Sequence, residues 1–250
     1  SLTNKEVFVV DNGWGEVPLN LKQKFQSVNF LRIPPRSGPG VTRNWGAMHA
    51  SVQFFSFLDD DDLWPADYLE QMLACAESSH ADLVAASQYC LNNPEEEIRP
   101  IAPDSSGNLS RWQRIGYGGS NMMVDKSSFW DCGGFSAWLI TGEDRSLAIN
   151  FSLKGMSIKI CETTFIWMRR HHLNQLTDES TLMLGKLCFL NAYSHLMPKK
   201  DLLEDRLAFL IYLSRNWNWP IWPFACLATP RACLRRLIKR ASQIKKILRI

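Results

Sequence analysis

The sequence has 250 residues, 46% apolar and 21% charged, enough for one sizeable core and unlike a disordered chain. Its formal charge of +3 hides an asymmetry: residues 231–250 hold eight Lys/Arg and no acid, leaving 20 basic against 25 acidic residues elsewhere, a net −5. The body therefore lacks the spread basic groove of a nucleic-acid binder, and no uncharged run reaches the roughly 20 residues of a membrane-spanning helix.

"EVFVV" (6–10) reads as a buried strand that stops at "DNGWG", whose Asp, Asn and Gly favour a turn. A short polar helix near 18–26 follows, then a strand over 28–33 closed by "PPRSGPG". Residues 41–53 read as a helix, "FFSFL" (54–58) as a strand, and 65–78 as a helix with Pro65 near its start. "DLVAAS" (82–87) is a further apolar strand. Strands alternating with helices predict an α/β fold, with a Rossmann-like, mostly parallel central sheet flanked by helices. The stretch 92–118 is polar and turn-rich, which reads as a surface excursion. A short strand and small helix resume over 118–135, and 141–155 reads as a helix with Glu143 and Asp144 in the first turn, where the dipole favours acids. "TTFIWMRRHH" (163–172) reads as a strand running into a polar loop. Helical stretches at 181–196 and 201–215, a Trp/Pro segment at 217–230 and the basic tail form a helical C-terminal region. The expected division is 1–178 and 179–250.

The main chemical question lies in "FFSFLDDDDLWPADYLE" (54–70). Adjacent carboxylates repel, and burial raises the cost of keeping them charged. Asp59, Asp60, Asp61 and Asp62 stand at a strand's carboxyl end, where ligands bind in sheets of this kind. One reading is a site for Mg²⁺ or Mn²⁺, hard cations that take carboxylate and diphosphate oxygens. The other is an acidic cap on a solvated loop.

The order "VVDNG", "GPGVTRNWGAMHA", "FFSFLDDDDLWPADYLE", "GGF…TGEDRSL" and "RRHHLNQLT" resembles the family 2 glycosyltransferases of the GT-A fold, over roughly residues 5–178. The resemblance implies an inverting, metal-dependent enzyme that moves a sugar from a nucleotide-diphosphate donor, a UDP-sugar first, to a glycan or lipid-linked acceptor. It gives Asp11 the base and ribose of the donor, against an Asx turn as the plain reading. Arg43 and Asn44 match the donor-site "ARN" segment, with Arg43 near the nucleotide or its phosphates; a surface helix arginine is the plain alternative. Asp59 and Asp61 form the DxD pattern: Asp61, with Asp59, is expected to ligate Mn²⁺ or Mg²⁺, Asp59 or Asp60 to support the sugar or ribose, and Asp62 to cap the next turn. Glu143 and Asp144 fall where the family keeps its catalytic carboxylate, and Asp144 is the expected general base; two acids serving the helix dipole is the plain reading. His172, or its neighbour His171, matches the late "RxH" element and completes the metal shell or touches the diphosphate.

The chain departs from the family at its start, since Ser1 falls too late for the strand and helix that precede "VVD". The expectation is a fragment lacking an inner strand, because unpaired neighbours would otherwise expose their backbone groups. Seven cysteines, odd in number and without a CxxC pair, fit reduced thiols in a cytoplasmic protein. In the tail, Leu234, Leu237, Ile238, Ala241, Ile244 and Leu248 recur at helical spacing among the basic residues. Such a helix suits an anionic membrane surface at the inner face, with Trp217, Trp219 and Trp222 as anchors, or docks on the domain. Nucleic acid is not an expected partner. Two other classes remain open: a non-catalytic nucleotide-sugar or metal-binding module, and a metal-dependent phosphohydrolase. The second needs a DxDxT-type motif where Leu63 and Trp64 stand.

Overall fold

The computed structural model describes residues 5–101, 116–169 and 179–199, with 202–203, 206–207 and 209–210 beyond. In chain order the elements are β1 (Val7–Asp11), α1 (Leu19–Lys24), β2 (Val28–Arg32), α2 (Pro39–His49), β3 (Phe54–Ser56) and α3 (Tyr68–Ser79). Then come β4 (Leu83–Cys90), β5 (Asn93–Ile98), β6 (Met122–Asp125), α4 (Lys126–Asp131), α5 (Glu143–Leu153), β7 (Ile158–Met168) and α6 (Glu179–Tyr193). Two compact units divide the chain, Ser1–Phe189 and Leu190–Ile250. In the second, Leu190, Tyr193, Met197 and Leu207 are buried among the described residues.

The strand "LVAASQYC" of β4 is an almost unbroken run of small and apolar residues, which suits a strand covered on both faces. It is the spine of the larger sheet. β7 runs parallel to its whole length, from Leu83 opposite Ile158 to Cys90 opposite Met168. On the other edge β6 pairs antiparallel with its first half and β5 with its second. β3 lies outside β6, also antiparallel to it. The sheet is therefore mixed, which corrects the expectation of a mostly parallel one. Two residues between β4 and β5 leave room only for a hairpin, and β6 enters between β3 and β4 against their direction.

β5 lies inside the stretch taken for a surface excursion. "NPEEEI" has no apolar alternation, and it is an exposed edge strand whose proline and three glutamates keep it from pairing further. β1 and β2 form a separate parallel pair, with Asp11 opposite Arg32 at the carboxyl end. Glu6, just before β1, reaches toward the start of β3: its carboxylate accepts from the Ser51 N–H at 2.8 Å and from the Ser51 hydroxyl. Among the described residues neither β1 nor β2 is hydrogen-bonded to a strand of the larger sheet.

Two cores flank the larger sheet. Tyr68, Met72 and Ala76 of α3 pack on Val84, Ala86, Cys161 and Ile166. On another side, Phe55 and Phe57, two residues apart and so on one face, meet Phe129 at 5.0 Å and Phe135 at 4.9 Å between ring centres. Cys75, Cys90, Cys132, Cys161 and Cys188 are free thiols. Among the described residues no helix is long and apolar enough to cross a membrane.

Candidate active site

The aspartate run is a tight turn tied at both ends. The Asp62 N–H donates to the Asp59 carbonyl at 3.2 Å, which leaves Asp60 and Asp61 at the tip. Entering the turn, the Asp59 N–H donates to the Ser120 hydroxyl at 3.0 Å. Leaving it, Leu63 exchanges both backbone hydrogen bonds with Trp167 of β7 at 2.9 Å. The Asp62 side chain, expected to cap the next turn, reaches across to β7's end and accepts from the Arg169 N–H at 3.1 Å. Burial, then the charges of Asp59 and Asp61, push the Asp62 carboxyl above its ordinary value, although its hydrogen bonds from Ser120 and Arg169 oppose this. The repulsion expected from the sequence is present in the fold.

A short segment with only a faint mark in the sequence anchors this turn. Gly119–Asn121 forms a single 3-10 turn ahead of β6. The Ser120 carbonyl accepts from Trp64 Nε1 at 2.8 Å and from the Tyr68 hydroxyl at 3.3 Å, and those two rings stack at 4.6 Å. Asn121, fully buried, donates to the carbonyls of Ala86 and Gly116 and accepts from the Gly118 N–H. Only "GGSN" before an apolar run hinted at any of this.

Arg43 joins the aspartate turn to the start of α5. Its Nη2 donates to Asp59 at 2.6 Å and its Nη1 to Glu143 at 2.6 Å. Burial pulls against the Arg43 charge, but Asp59, Glu143 and Asp144 outweigh it, so the guanidinium is held more firmly protonated than in water. Glu143 and Asp144 occupy the first turn of α5 behind Gly142, whose φ of 82° only glycine adopts freely. Burial first, and Glu143 second, push Asp144 up to about 6; Arg145 and Arg43 pull it back. Its Oδ1 accepts from the Arg145 N–H at 2.6 Å.

Asn44 has a different task from its neighbour. Its amide donates to the Phe135 carbonyl and accepts from the Phe135 N–H, both at 2.9 Å, and so holds the turn that carries Phe135. Gly134 makes this close approach possible: its φ is 68°, and a Cβ there would stand 2.7 Å from Asn44 Oδ1. Gly134→Ala is expected to cost on the order of 1–3 kcal/mol, read as a lower melting temperature.

Asp11 sits at the carboxyl end of β1 and accepts from the Gly13 N–H at 2.9 Å, the Asx turn of its plain reading. It also lines a small cavity of about 110 Å³ with Glu16, Lys22 and Arg32. Asn12 donates to Thr42 at 3.1 Å and so ties the end of β1 to α2, one residue before Arg43. His172, His171 and Arg170 lie outside the described residues, as do the tail and Trp217, Trp219 and Trp222.

Among the described residues no three His, Cys, Asp or Glu side chains converge as a ready-made metal cage. A cation shared with a diphosphate needs only one or two carboxylates, the other ligands being phosphate oxygens and water. The hard oxygens of Asp60 and Asp61 at the tip of the turn fit that role, while Asp59 is already ion-paired to Arg43.

An α/β sheet with an aspartate turn and a Glu-Asp helix start joined across one arginine has the layout of the GT-A class. Residues 1–142 match the family described as Glycosyl transferase family 2, and the chain belongs to it. Solved structures agree on the fold. Residues 1–349 of S. aureus TarS in complex with UDP-GlcNAc share 16% identity, with 90% of this chain and 67% of that one covered at a TM-score of 0.56. S. aureus TarS is also matched at 18% identity, 84% and 38% coverage and a TM-score of 0.51. The 1–349 form with UDP is matched at 16% identity, 86% and 63% coverage and a TM-score of 0.50. This chain thus spans from 38% to 67% of the length of those chains. No curated protein matches it in sequence. The family match ends at residue 142, directly before Glu143.

Proposed function

We propose that the protein is an inverting glycosyltransferase that moves a sugar from a nucleoside diphosphate donor to a hydroxyl of a glycan or lipid-linked acceptor. The observation that carries this is the meeting of Asp59 and Glu143 on one buried arginine, with Asp144 beside them. It joins the acidic turn and the Glu143–Asp144 helix start, which supports reading the turn as the diphosphate side and Asp144 as the base. Asp144, held at about 6, is ionised at neutral pH and basic enough to take a proton from an attacking hydroxyl. The attack forms the new glycosidic bond at the anomeric carbon as the bond to the diphosphate breaks on the opposite face, so the centre inverts. The hydroxyl proton goes to Asp144 and the electron pair leaves with the diphosphate. Asp61, with Asp60, would hold Mn²⁺ or Mg²⁺, which when bound neutralises the departing diphosphate. TarS structures with UDP-GlcNAc and UDP support a uridine donor. The basic segment 231–250 supports an acceptor presented at an anionic membrane surface, on its cytoplasmic side.

Calorimetric titration with UDP tests the reading. Binding should strengthen by at least about tenfold when Mn²⁺ is added, and Asp61→Asn should remove most of that gain. Absence of UDP, GDP and dTDP binding with and without Mn²⁺ would overturn it and return the four aspartates to a solvated cap.

A further inference from the structure

Arg43 is an unusual residue to find at a donor site, because its charged nitrogens are turned to protein. The side chain is 12% exposed, and both Nη atoms are spent on carboxylates from segments 16 and 100 residues away. Its guanidinium is also fitted on its flat sides. The Phe135 ring lies with its centre 5.4 Å from Cζ, and that ring is itself wedged against Phe57. Gly119 supplies another wall so close that a Cβ there would stand 2.4 Å from Nη2 and 2.5 Å from Cζ. Gly40, one turn earlier on α2, makes a looser approach to the start of α5 and the segment before it: a Cβ would be 3.2 Å from the Ser136 carbonyl and 3.6 Å from Glu143 Cγ. Four stretches of chain thus close around one cation.

We propose that Arg43 is a positioning residue, a fixed bridge that sets the aspartate turn and the Glu143–Asp144 helix start at one separation, rather than a ligand of the donor. The proposal rests on the transfer reading above. A planar fork that bonds two carboxylates at once cannot be replaced by a point charge. Among the described residues the charged groups acting on Asp144 are Glu143 and Arg145 on its own helix and Arg43 from α2; of these two cations, Arg43 belongs to another element. Removing Arg43 therefore has two consequences: the two acidic segments lose their common anchor, and Asp144 loses a charge that favours its ionised form.

The experiment compares wild type, Arg43→Gln, Arg43→Lys, Gly119→Ala and Asp144→Asn. Gly119→Ala is the informative variant. It removes no charge and asks nothing of the backbone, since Gly119 is not at positive φ, yet its methyl group occupies the place of the guanidinium. Three quantities are read: the titration of the Asp144 carboxyl carbon by NMR, assigned by its loss in Asp144→Asn; the pH dependence of UDP release from UDP-GlcNAc; and UDP affinity. Arg43→Gln and Gly119→Ala should both move the Asp144 titration and the acid limb of kcat to higher pH. Both should lower kcat at neutral pH by at least about tenfold, with UDP affinity changed less than kcat. Arg43→Lys should restore the titration more fully than the rate. If Arg43→Gln does not fold, Gly119→Ala carries the same test. An unmoved Asp144 titration in Gly119→Ala overturns the proposal, as does a loss confined to UDP affinity, which would make Arg43 a donor contact. A shifted titration with wild-type turnover in Asp144→Asn sinks the transfer reading and leaves the bridge standing only as structure.

Discussion

An Asp144→Asn chain should bind UDP as the wild type does and turn over on the order of 10²–10⁴ times more slowly, the range contributed by a general base. The substitution is nearly isosteric, and an amide oxygen still accepts from the Arg145 N–H, so the first turn of α5 survives. What it removes is the carboxylate proposed above to take the acceptor proton. The pH profile adds a second check. Burial, reinforced by Glu143, raises Asp144 to about 6, and the base works ionised, so wild-type kcat should rise with pH through about 6 and then level. Stability should run the other way. The folded pKa lies above the ordinary carboxylate value of about 3.9, so the contribution of this group is fully present below that value and is lost as pH rises through about 6. Asp144→Asn should therefore melt above the wild type at neutral pH, and the gap should close in acid. A wild-type rate in Asp144→Asn would move the base elsewhere, with Glu143→Gln the next variant.

What the sequence could and could not reveal follows from the range of each interaction. The run "FFSFL" ending in four aspartates is a local pattern, and it holds in part: Phe55 is buried in β3, but the strand closes at Ser56, Leu58 is exposed, and the carboxylates follow in the turn beyond. The helix start at Glu143 is local too. Strand direction is not, because periodicity is the same in both directions, and so β6 and β5 turned a supposedly parallel sheet into a mixed one. β5 went unseen because an exposed edge strand need not alternate. The Arg43–Glu143 pair spans 100 residues, and the Asn44 clamp on Phe135 spans 91. Neither leaves a mark on the residues in between. Motif order brought Arg43 and Asn44 forward together; only the fold separates them, one bonded to two carboxylates and the other to a turn of backbone.

The largest stability effect should come from a fully buried residue behind the aspartate turn. Asn121 makes three hydrogen bonds: its amide nitrogen donates to the carbonyls of Ala86 and Gly116, both at 2.6 Å, and its oxygen accepts from the Gly118 N–H at 2.8 Å. Gln88 supplies a further donor to Gly116, so that carbonyl keeps one partner when Asn121 is lost; Ala86 and Gly118 lose the ones described. With each orphaned buried group costing about 1–3 kcal/mol, Asn121→Ala should destabilise by on the order of 3 kcal/mol. At about 2–4 °C per kcal/mol for a unit of this size, the melting temperature should fall by roughly 6–12 °C. Asn121→Asp is the sharper case. Its oxygens still accept from Gly118, but a second oxygen now faces two carbonyls, and a buried carboxylate with those neighbours is pushed up in pKa. It should be worse than alanine at neutral pH and recover in acid, where the protonated form can donate one bond. Ser120, next in the chain, holds the Asp59 N–H and anchors Trp64 and Tyr68, so either variant should also weaken UDP binding without altering a donor contact. An Asn121→Ala protein that melts with the wild type would show that the aspartate turn is held by Leu63 on Trp167 instead, and that the buried asparagine is a passenger.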